Sequence, residues 1–169
     1  MIPKNYPFND GRGKFKHPHD SRNVFENPHD CLLPLQDIIS EELMRHPDAL
    51  DNDNEVCLPV IKSGNAVGVT VGRATGAFSY VREYFPDGTH QTSMEWAICN
   101  NDGEHGCFSA PGDSGSIIVD GLGRIGGLLT GGSGKAESPD ITYATPWFWL
   151  FPRIKANGFP NAHLDPVMA

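Results

Sequence analysis

The sequence contains no apolar run close to the roughly 20 residues that a membrane-spanning helix requires. Basic residues are scarce, since 13 Lys and Arg stand against 21 Asp and Glu and give a net charge of −8. The first residues, Met1 to Pro7, lack the apolar stretch of a secretory signal. These absences argue against a membrane protein and against a nucleic-acid partner, and they predict a cytoplasmic protein.

Cysteine is also scarce. The four cysteines are too few for a disulfide scaffold, and their spacings match no zinc site with paired ligands. We interpret Cys31, Cys57, Cys99 and Cys107 as thiols. A bridge between Cys99 and Cys107, which would close a short loop between two strands in an oxidising compartment, stays open as an alternative.

Glycine and proline are plentiful, with 19 and 14 residues in a chain of 169. They show no G-X-Y period and lie between short β-like runs. A hydrophobic fraction of 38% in a chain of this length suffices for one core. The composition therefore predicts a turn-rich, mostly β protein.

The first 55 residues lack the β-like pattern. Residues 1–33 are polar and interrupted by proline, and we expect an extended arm. From Pro34 to His46, apolar residues recur at spacings of three and four, which predicts an amphipathic helix; they are Leu35, Ile38, Ile39 and Leu43. Asp48 to Glu55 is an acidic run of turn formers, so residues 1–55 are predicted as arm, helix and linker, with a domain boundary near Val56.

After Val56 the pattern changes to short β-rich runs separated by turn residues. Strands are predicted at 56–62, 67–74, 77–85, 94–100, 116–120, 124–130 and 141–145. Pro86-Asp87-Gly88 predicts a turn, and Asp120 to Gly123 predicts a tight hairpin. Because closure removes exposed sheet edges, residues 56–155 are expected to form a closed antiparallel barrel of six or seven strands.

Three further features complete the predicted architecture. Ile117, Val119, Leu128 and Tyr143 are expected to contribute to the core or to its capping layer. A helix from Pro146 to Lys155 is expected to plug the barrel with its apolar face. Residues 156–169 are a C-terminal tail.

The segment Ser109 to Ser116, with the sequence SAPGDSGS, carries the strongest chemical signal. Glycines on both sides of Asp113-Ser114 permit backbone conformations in which N–H groups converge beside the serine hydroxyl, as an oxyanion hole requires. The alternative interpretation of the same motif is a tight glycine turn with a capping serine.

The order of elements around this motif resembles the C-terminal, nucleophile-bearing barrel of chymotrypsin-like and trypsin-like serine proteases, in a style similar to fungal trypsin-like proteins. The resemblance covers roughly residues 56–155. It rests on the serine turn followed by a strand, a hairpin, the glycine-rich strand 124–132, the strand with Ile141 to Pro146, and a closing helix.

The resemblance implies a role for individual residues. Ser114 takes the position of the nucleophile, and the N–H groups of Gly112 and Ser114 line the oxyanion hole, with Asp113 between them. The resemblance also implies a substrate-binding strand with a side-chain pocket, formed by Phe108, Thr130, Gly131 and Gly132. Phe108 is expected near the pocket floor, which argues against a preference for Lys or Arg in the substrate.

The chain departs from this family in one respect. The family's general base and its Asp partner belong to a separate N-terminal barrel, for which residues 1–55 lack the strands. Histidines 17, 19, 29 and 46 do not follow β-like runs; His29-Asp30 is the nearest imitation of a catalytic histidine turn, and His105 is a further candidate. We therefore expect the chain alone to be inactive.

Two interpretations of function follow from that departure. In the first, the chain is the nucleophile-bearing half of a serine endopeptidase that cleaves peptide or protein substrates, either as a fragment of a longer protein or as the partner of another chain. The partners considered are a missing N-terminal protease half and a second copy in a homodimer. In the second, it is a catalytically inactive, protease-derived module that binds protein.

Other chemistry is not predicted. The pairs at His17-x-His19-Asp20 and His29-Asp30 match no metal-ligand spacing, so we assign no metal and no cofactor. Gly131 to Lys135 resembles a phosphate loop, but no helix follows it. Trp147, Phe148 and Trp149 are interpreted as core residues, with an exposed binding patch as the alternative.

Overall fold

The computed structural model describes residues 34–50, 54–101, 106–135 and 138–164, so the predicted arm at 1–33 lies outside the described residues. The chain forms two helices and seven strands in this part. They are α1 Glu41–Arg45, β1 Ala49–Leu50, β2 Val56–Gly64, β3 Gly68–Tyr84, β4 His90–Asn100, β5 Ile117–Asp120, β6 Ile125–Lys135, β7 Ser138–Pro146 and α2 Trp147–Ala156.

The strands form one antiparallel sheet in the order β1-β2-β3-β4-β7-β6-β5, and β2 also pairs with β5. Six strands, β2 to β7, are therefore hydrogen-bonded in a ring. The short strand β1 pairs with the first two residues of β2, Val56 and Cys57, ahead of the part that pairs with β5. The closing pair is short and joins Val60 with Asp120, Ile61 with Val119, and Lys62 with Ile118. This mostly β, antiparallel ring, with one helix before it and one after it in the chain, confirms the predicted fold class.

Two hydrophobic clusters lie on opposite faces of the strands. The main cluster takes residues from all six strands of the ring and so fills its interior; its strand residues are Leu58, Val60, Ala74, Trp96, Ile98, Ile118, Leu129 and Ala144. Because successive strand residues point to opposite faces, Ile61 and Val119 belong to the second cluster, on the outer face.

The helix predicted from Pro34 to His46 is wrong in its first half. Only Glu41–Arg45 is helical, and it begins after Ser40, whose hydroxyl accepts a hydrogen bond from Leu43 N at 3.2 Å. Asp37 has a left-handed φ of 56°, which excludes a helix there. Ile39 N instead donates to Ile125 O at 2.9 Å, so this segment runs along the start of β6.

Two residues of the predicted helix share the interior of the ring. Ile39 and Met44 are fully buried in the main cluster, and Ala49 in the unpredicted strand β1 is 1% exposed. The domain boundary near Val56 stays a prediction, although residues on both sides of it pack in one core.

The two strands predicted at 67–74 and 77–85 are one long strand, β3. Its pairing with β4 shifts between Ala74 and Phe78, and Gly76 takes a φ of 86° within the shift. A positive φ of this kind suits glycine and allows a bulge where the sequence pattern predicts a break. The predicted turn at Pro86-Asp87-Gly88 is confirmed, with Gly88 N donating to Phe85 O.

The predicted hairpin at Asp120 to Gly123 is confirmed, but the side chains around it partly face the other way. Val119 is buried, Leu128 and Tyr143 are half-buried, and Ile117 is 38% exposed. The prediction for Ile117 is wrong because β5 directs Ile118 into the ring, and neighbouring residues on a strand alternate between faces.

The C-terminal helix is confirmed at Trp147–Ala156, and its Phe148 packs against the main cluster that fills the ring. None of its residues is buried, and it lies against β6 and β7. Trp147 packs against the second, outer cluster. No helix in the described ranges is long and apolar enough to cross a membrane.

Candidate functional site

Two consecutive β-turns present Ser114. In the first, Asp113 N donates to Ala110 O, and in the second, Ser116 N donates to Asp113 O, both at 3.0 Å. Gly112 and Gly115 occupy the third position of their turns with φ of 106° and 86°. Type II turns require a positive φ at this position, so the spacing of the two glycines builds the double turn. Ser114 is exposed at its tip.

Two backbone amides of the double turn are open. Gly112 N and Ser114 N, as well as the Ser114 hydroxyl, have no hydrogen-bond partner among the described residues. Gly115 N, by contrast, donates to Leu129 O at 2.8 Å and fastens the turn to β6. The site thus offers two unoccupied donors on either side of Asp113, next to an exposed hydroxyl.

The Asp113 side chain holds the double turn in place. Its carboxylate is fully buried and accepts hydrogen bonds from Ala66 N at 2.7 Å and from Ala110 N at 3.2 Å. Ala66 lies in the turn between β2 and β3. The carboxylate therefore fixes the Ser114 turn to a hairpin that is 47 residues distant in sequence.

Lys62 supplies the counter-charge. Its Nζ lies 2.9 Å from Asp113 Oδ2, and both side chains are 0% exposed. The same ammonium donates to Gly68 O at 3.1 Å. A Cβ on Gly64 would lie 2.3 Å from Asp113 Oδ1, so only glycine leaves room for the carboxylate.

The charge state of Asp113 follows from these contacts. Burial by itself would raise the pKa of Asp113, but the Lys62 ammonium and the N–H groups of Ala66 and Ala110 outweigh it and hold this pKa below its usual range. Asp113 is therefore ionised at neutral pH and forms a true ion pair with Lys62.

Side chains of three strands hold the segment that precedes the double turn, Phe108 and Ser109. Phe108 N donates to Asn100 Oδ1 at 2.7 Å, and Thr70 Oγ1 donates to Phe108 O at 2.6 Å. Ser109 and Thr142 share a buried hydroxyl pair at 2.6 Å. The Phe108 ring is 1% exposed and belongs to the main cluster, and its predicted place at a pocket floor stays a prediction.

The predicted substrate strand has an open edge beside the turn. Thr130 and Gly132 are exposed, and Gly131 is paired with Tyr143 of β7. On its other side β6 pairs with β5 only as far as Leu128, followed by the bond from Leu129 N to Ser116 O. Beyond Leu129 this side of β6 has no strand neighbour in the described part of the chain.

No described histidine lies at the site. His46, His90 and His163 are exposed, and none of them is bonded to Ser114. His17, His19, His29 and His105 fall outside the described residues, so the predictions that concern them are not tested. The described cysteines, Cys57, Cys99 and Cys107, form no disulfide with one another, so the alternative bridge between Cys99 and Cys107 is not formed in this structure.

Lys62 is the site residue that the sequence analysis missed. Leu58, Val60 and Lys62 alternate along β2, and the first two belong to the main cluster, so the lysine points into the ring. A lysine at an interior position of an apolar strand signals a buried acidic partner. A second signal in the sequence is Gly64, two residues after Lys62, where a side chain would collide with Asp113.

Comparisons with known proteins concern only part of the chain. The chymotrypsin of Cellulomonas bogoriensis has a TM-score of 0.40 and 23% identity, over 57% of this chain and 46% of that chain. The Nocardiopsis protease NAPase gives 0.40 and 23%, over 59% of this chain and 45% of that chain.

This chain therefore spans less than half the length of either solved structure. At this identity and coverage the likeness does not extend to an activity. No family model and no curated protein matches the chain. Both solved structures are bacterial, so the similarity to fungal proteins stays a prediction.

Proposed function

We propose that this chain is the nucleophile-bearing part of a trypsin-like serine endopeptidase, with Ser114 as the nucleophile. The observation that supports it is the pair of open amides at Gly112 and Ser114, on either side of the buried Asp113. Two donors held in place beside an exposed hydroxyl suit a tetrahedral oxyanion, because they need no reorganisation when the charge develops.

The open side of β6 supports a peptide or protein substrate. An extended peptide gains main-chain hydrogen bonds by adding to an exposed strand edge. The edge beyond Leu129 adjoins Ser116 and therefore the double turn. A peptide paired with residues 130–132 would place its carbonyl groups near the Ser114 hydroxyl, and the side chain before the cleaved bond would lie against Thr130, Gly131 and Gly132.

Cleavage requires a base that the described residues do not supply. Ser114 Oγ attacks the carbonyl carbon, its proton passes to an imidazole, and the oxyanion accepts hydrogen bonds from Gly112 N and Ser114 N. Without the imidazole, turnover in such a triad falls on the order of a millionfold. We propose that a separate N-terminal half supplies the imidazole.

A serine-directed fluorophosphonate tests this function. The chain of 169 residues alone is expected to label at the background rate, and addition of a base-bearing N-terminal half is expected to give labelling at Ser114. Ser114→Ala should abolish that labelling without changing the unfolding midpoint, since an exposed turn hydroxyl contributes little to stability. Ser93→Ala, on the β3–β4 hairpin, is the matched control and should label like the wild type.

Two outcomes would contradict the proposal. Ser114-dependent turnover by the chain alone would show that the base lies within it, at His29 or His105. Failure of Ser114 to label in the presence of a partner that carries the base would show that the double turn is not a nucleophile site.

A binding module is the second candidate, and the β3–β4 hairpin favours it. Tyr80 and Tyr84 are 79% and 72% exposed on one face, opposite Met94 and His90 on β4. Exposed aromatic residues are typical of protein-binding surfaces. If the chain only binds protein, Tyr80→Ala will weaken capture of the bound protein, and Ser114→Ala will leave it unchanged.

A further inference from the structure

The β3–β4 hairpin extends beyond the ring. β2 pairs with β3 only as far as Ala74, and β7 pairs with β4 only from Trp96 onward. From Phe78 to Met94, β3 and β4 therefore pair only with each other in the described part of the chain. A two-stranded hairpin on its own is marginally stable in water, and further strands stabilise it. The projecting hairpin thus has two open edges, one along β3 and one along β4.

The backbone of β4 directs alternate polar groups to its open side. Phe85 N donates to Thr89 O at 2.9 Å, so these two residues form a hydrogen-bonded pair across the hairpin. Such pairs alternate with non-hydrogen-bonded pairs along an antiparallel ladder, and no register shift lies within the projecting hairpin. The N–H and C=O groups of His90, Thr92 and Met94 therefore point away from β3. These three residues and the two between them are called the β4 edge.

The two open edges differ in charge. The β4 edge has the sequence HQTSM and contains no Asp, Glu, Lys or Arg, in a chain where 20% of the residues are charged. On β3, Arg82 and Glu83 lie opposite Thr92 and Gln91 of this edge. Charged side chains on an edge strand oppose the addition of another strand. The open side of β3 is therefore protected, whereas the β4 edge is not.

A second copy of the chain is complementary to the β4 edge. A two-fold axis at Thr92, normal to the sheet, places Thr92 opposite its own equivalent and His90 opposite Met94 of the second copy. The outward N–H and C=O groups of the two edges then meet in an antiparallel ladder. The same operation centred on Arg82 or Glu83 of β3 places like charges directly opposite each other, which destabilises a strand pair.

We propose that the chain forms a two-fold symmetric dimer in which the β4 edges of two copies pair into one antiparallel sheet. The sheet has the strand order β3-β4-β4-β3. Tyr80 and Tyr84 of both copies lie on one face of it, because they share that face with Thr92 in the hairpin. The interface contains no residue of the Ser114 site, so the dimer does not depend on the proposed protease function.

Sedimentation equilibrium of the full chain over a range of concentrations tests the dimer. Thr92→Glu places two carboxylates opposite each other at the axis and should raise the dimer dissociation constant at least about tenfold. Within one chain the added carboxylate lies opposite Arg82, so the hairpin itself is retained. Thr130→Glu is the matched control, since Thr130 is an exposed threonine on the open side of β6, and this variant should dimerise like the wild type.

Charge complementation separates a direct contact from a folding defect. Thr92→Lys alone should also weaken the dimer. An equimolar mixture of the Thr92→Lys and Thr92→Glu chains should dimerise more tightly than either variant alone, because opposite charges then meet at the axis. A mixture no tighter than its components would show that residue 92 does not face its equivalent.

Amide hydrogen exchange locates the interface. The amide protons of His90, Thr92 and Met94 should exchange at least about tenfold more slowly in the wild-type dimer than in Thr92→Glu. The amide protons of Arg82 and Tyr84, on the open side of β3, should exchange alike in both. A wild-type chain that is monomeric at every concentration, or a dimer that protects β3 or β6 instead of the β4 edge, would overturn the proposal.

Discussion

Lys62 and Asp113 connect the interior of the ring to its surface chemistry. Both side chains are fully buried, yet the backbone on either side of Asp113 is exposed and carries the open amides. Removing a charge from water is costly, and the ion pair with the bonds from Ala66 N and Ala110 N offsets that cost. A surface turn gains a rigid conformation in this way without being buried itself.

Lys62→Met tests how much this pair stabilises the fold. The variant leaves the Asp113 carboxylate buried without its counter-charge, which should lower the free energy of unfolding by about 3–5 kcal/mol in urea denaturation. Lys155→Met on the exposed surface of α2 is the matched control and should stay within about 0.5 kcal/mol of the wild type. A loss no larger than that of the control would show that the pair contributes nothing.

The stability of the chain should also depend on pH through Asp113. Its pKa is lower in the folded chain than in the unfolded chain, so the native state binds fewer protons. The stabilisation is complete above the unfolded pKa, near 3.8, and is lost as pH falls through the folded pKa. Urea midpoints measured between about pH 2 and pH 6 should show this loss.

The control for this pH dependence is a second aspartate. Asp113→Asn should be less stable at neutral pH but should show a flatter decline in acid. Asp87 also has a lowered pKa, owing to its hydrogen bonds from Thr89, but it is fully exposed. Asp87→Asn should therefore change the decline much less. Parallel acid profiles for wild type and Asp113→Asn would refute the role of Asp113.

At the scale of elements, α1 and β3 meet where the backbone permits no side chain. Gly76 has a φ of 86°, and a Cβ there would lie 2.5 Å from the carbonyl oxygen of Arg45, the last residue of α1. The short helix thus packs on β3 through a close backbone approach. Met44 extends from it into the main cluster.

Gly76→Ala should therefore destabilise the chain for two reasons, the positive φ and the clash with Arg45. Gly88→Ala is a matched control, because Gly88 has a φ of 83° but an added Cβ there meets open space. The control should lose only the stability that the strained backbone costs, about 1–3 kcal/mol, and Gly76→Ala should lose more stability than that. Thermal unfolding measures both, and equal losses would show that the helix yields to the added methyl group.

Most strands, two of the hairpin turns and the C-terminal helix could be predicted from the sequence, because alternation and turn residues are local signals. The non-helical course of residues 34–40 could not be predicted. The apolar residues there have helical spacing, but Ile38 and Ile39 pair with Ile125. The merging of two strands into β3 depends on a partner, β4, that pairs along both. At the site, the motif predicted the double turn, but its ion pair joins residues from different hairpins.

At the scale of the whole molecule, the segment before Val56 contributes to the ring's core. Ile39 and Met44 are fully buried, and truncating a large buried side chain costs about 2–5 kcal/mol. A chain of residues 56–164 should therefore unfold at much lower urea concentration than one of residues 34–164, or fail to fold cooperatively. Equal midpoints would instead support an independent domain beginning near Val56.

The short β2–β5 pairing, called the seam here, also bears on the order in which the Ser114 site forms during folding. It joins the second strand of the chain to the fifth, so its formation costs more loop-closure entropy than a hairpin between neighbouring strands. We therefore expect it to form after those hairpins. Lys62 is one of the three β2 residues in that seam. A nascent chain with only its hairpins formed would hold the Ser114 turn against β6 through Gly115 and Ser116, but the Asp113 carboxylate would still lack its Lys62 counter-charge.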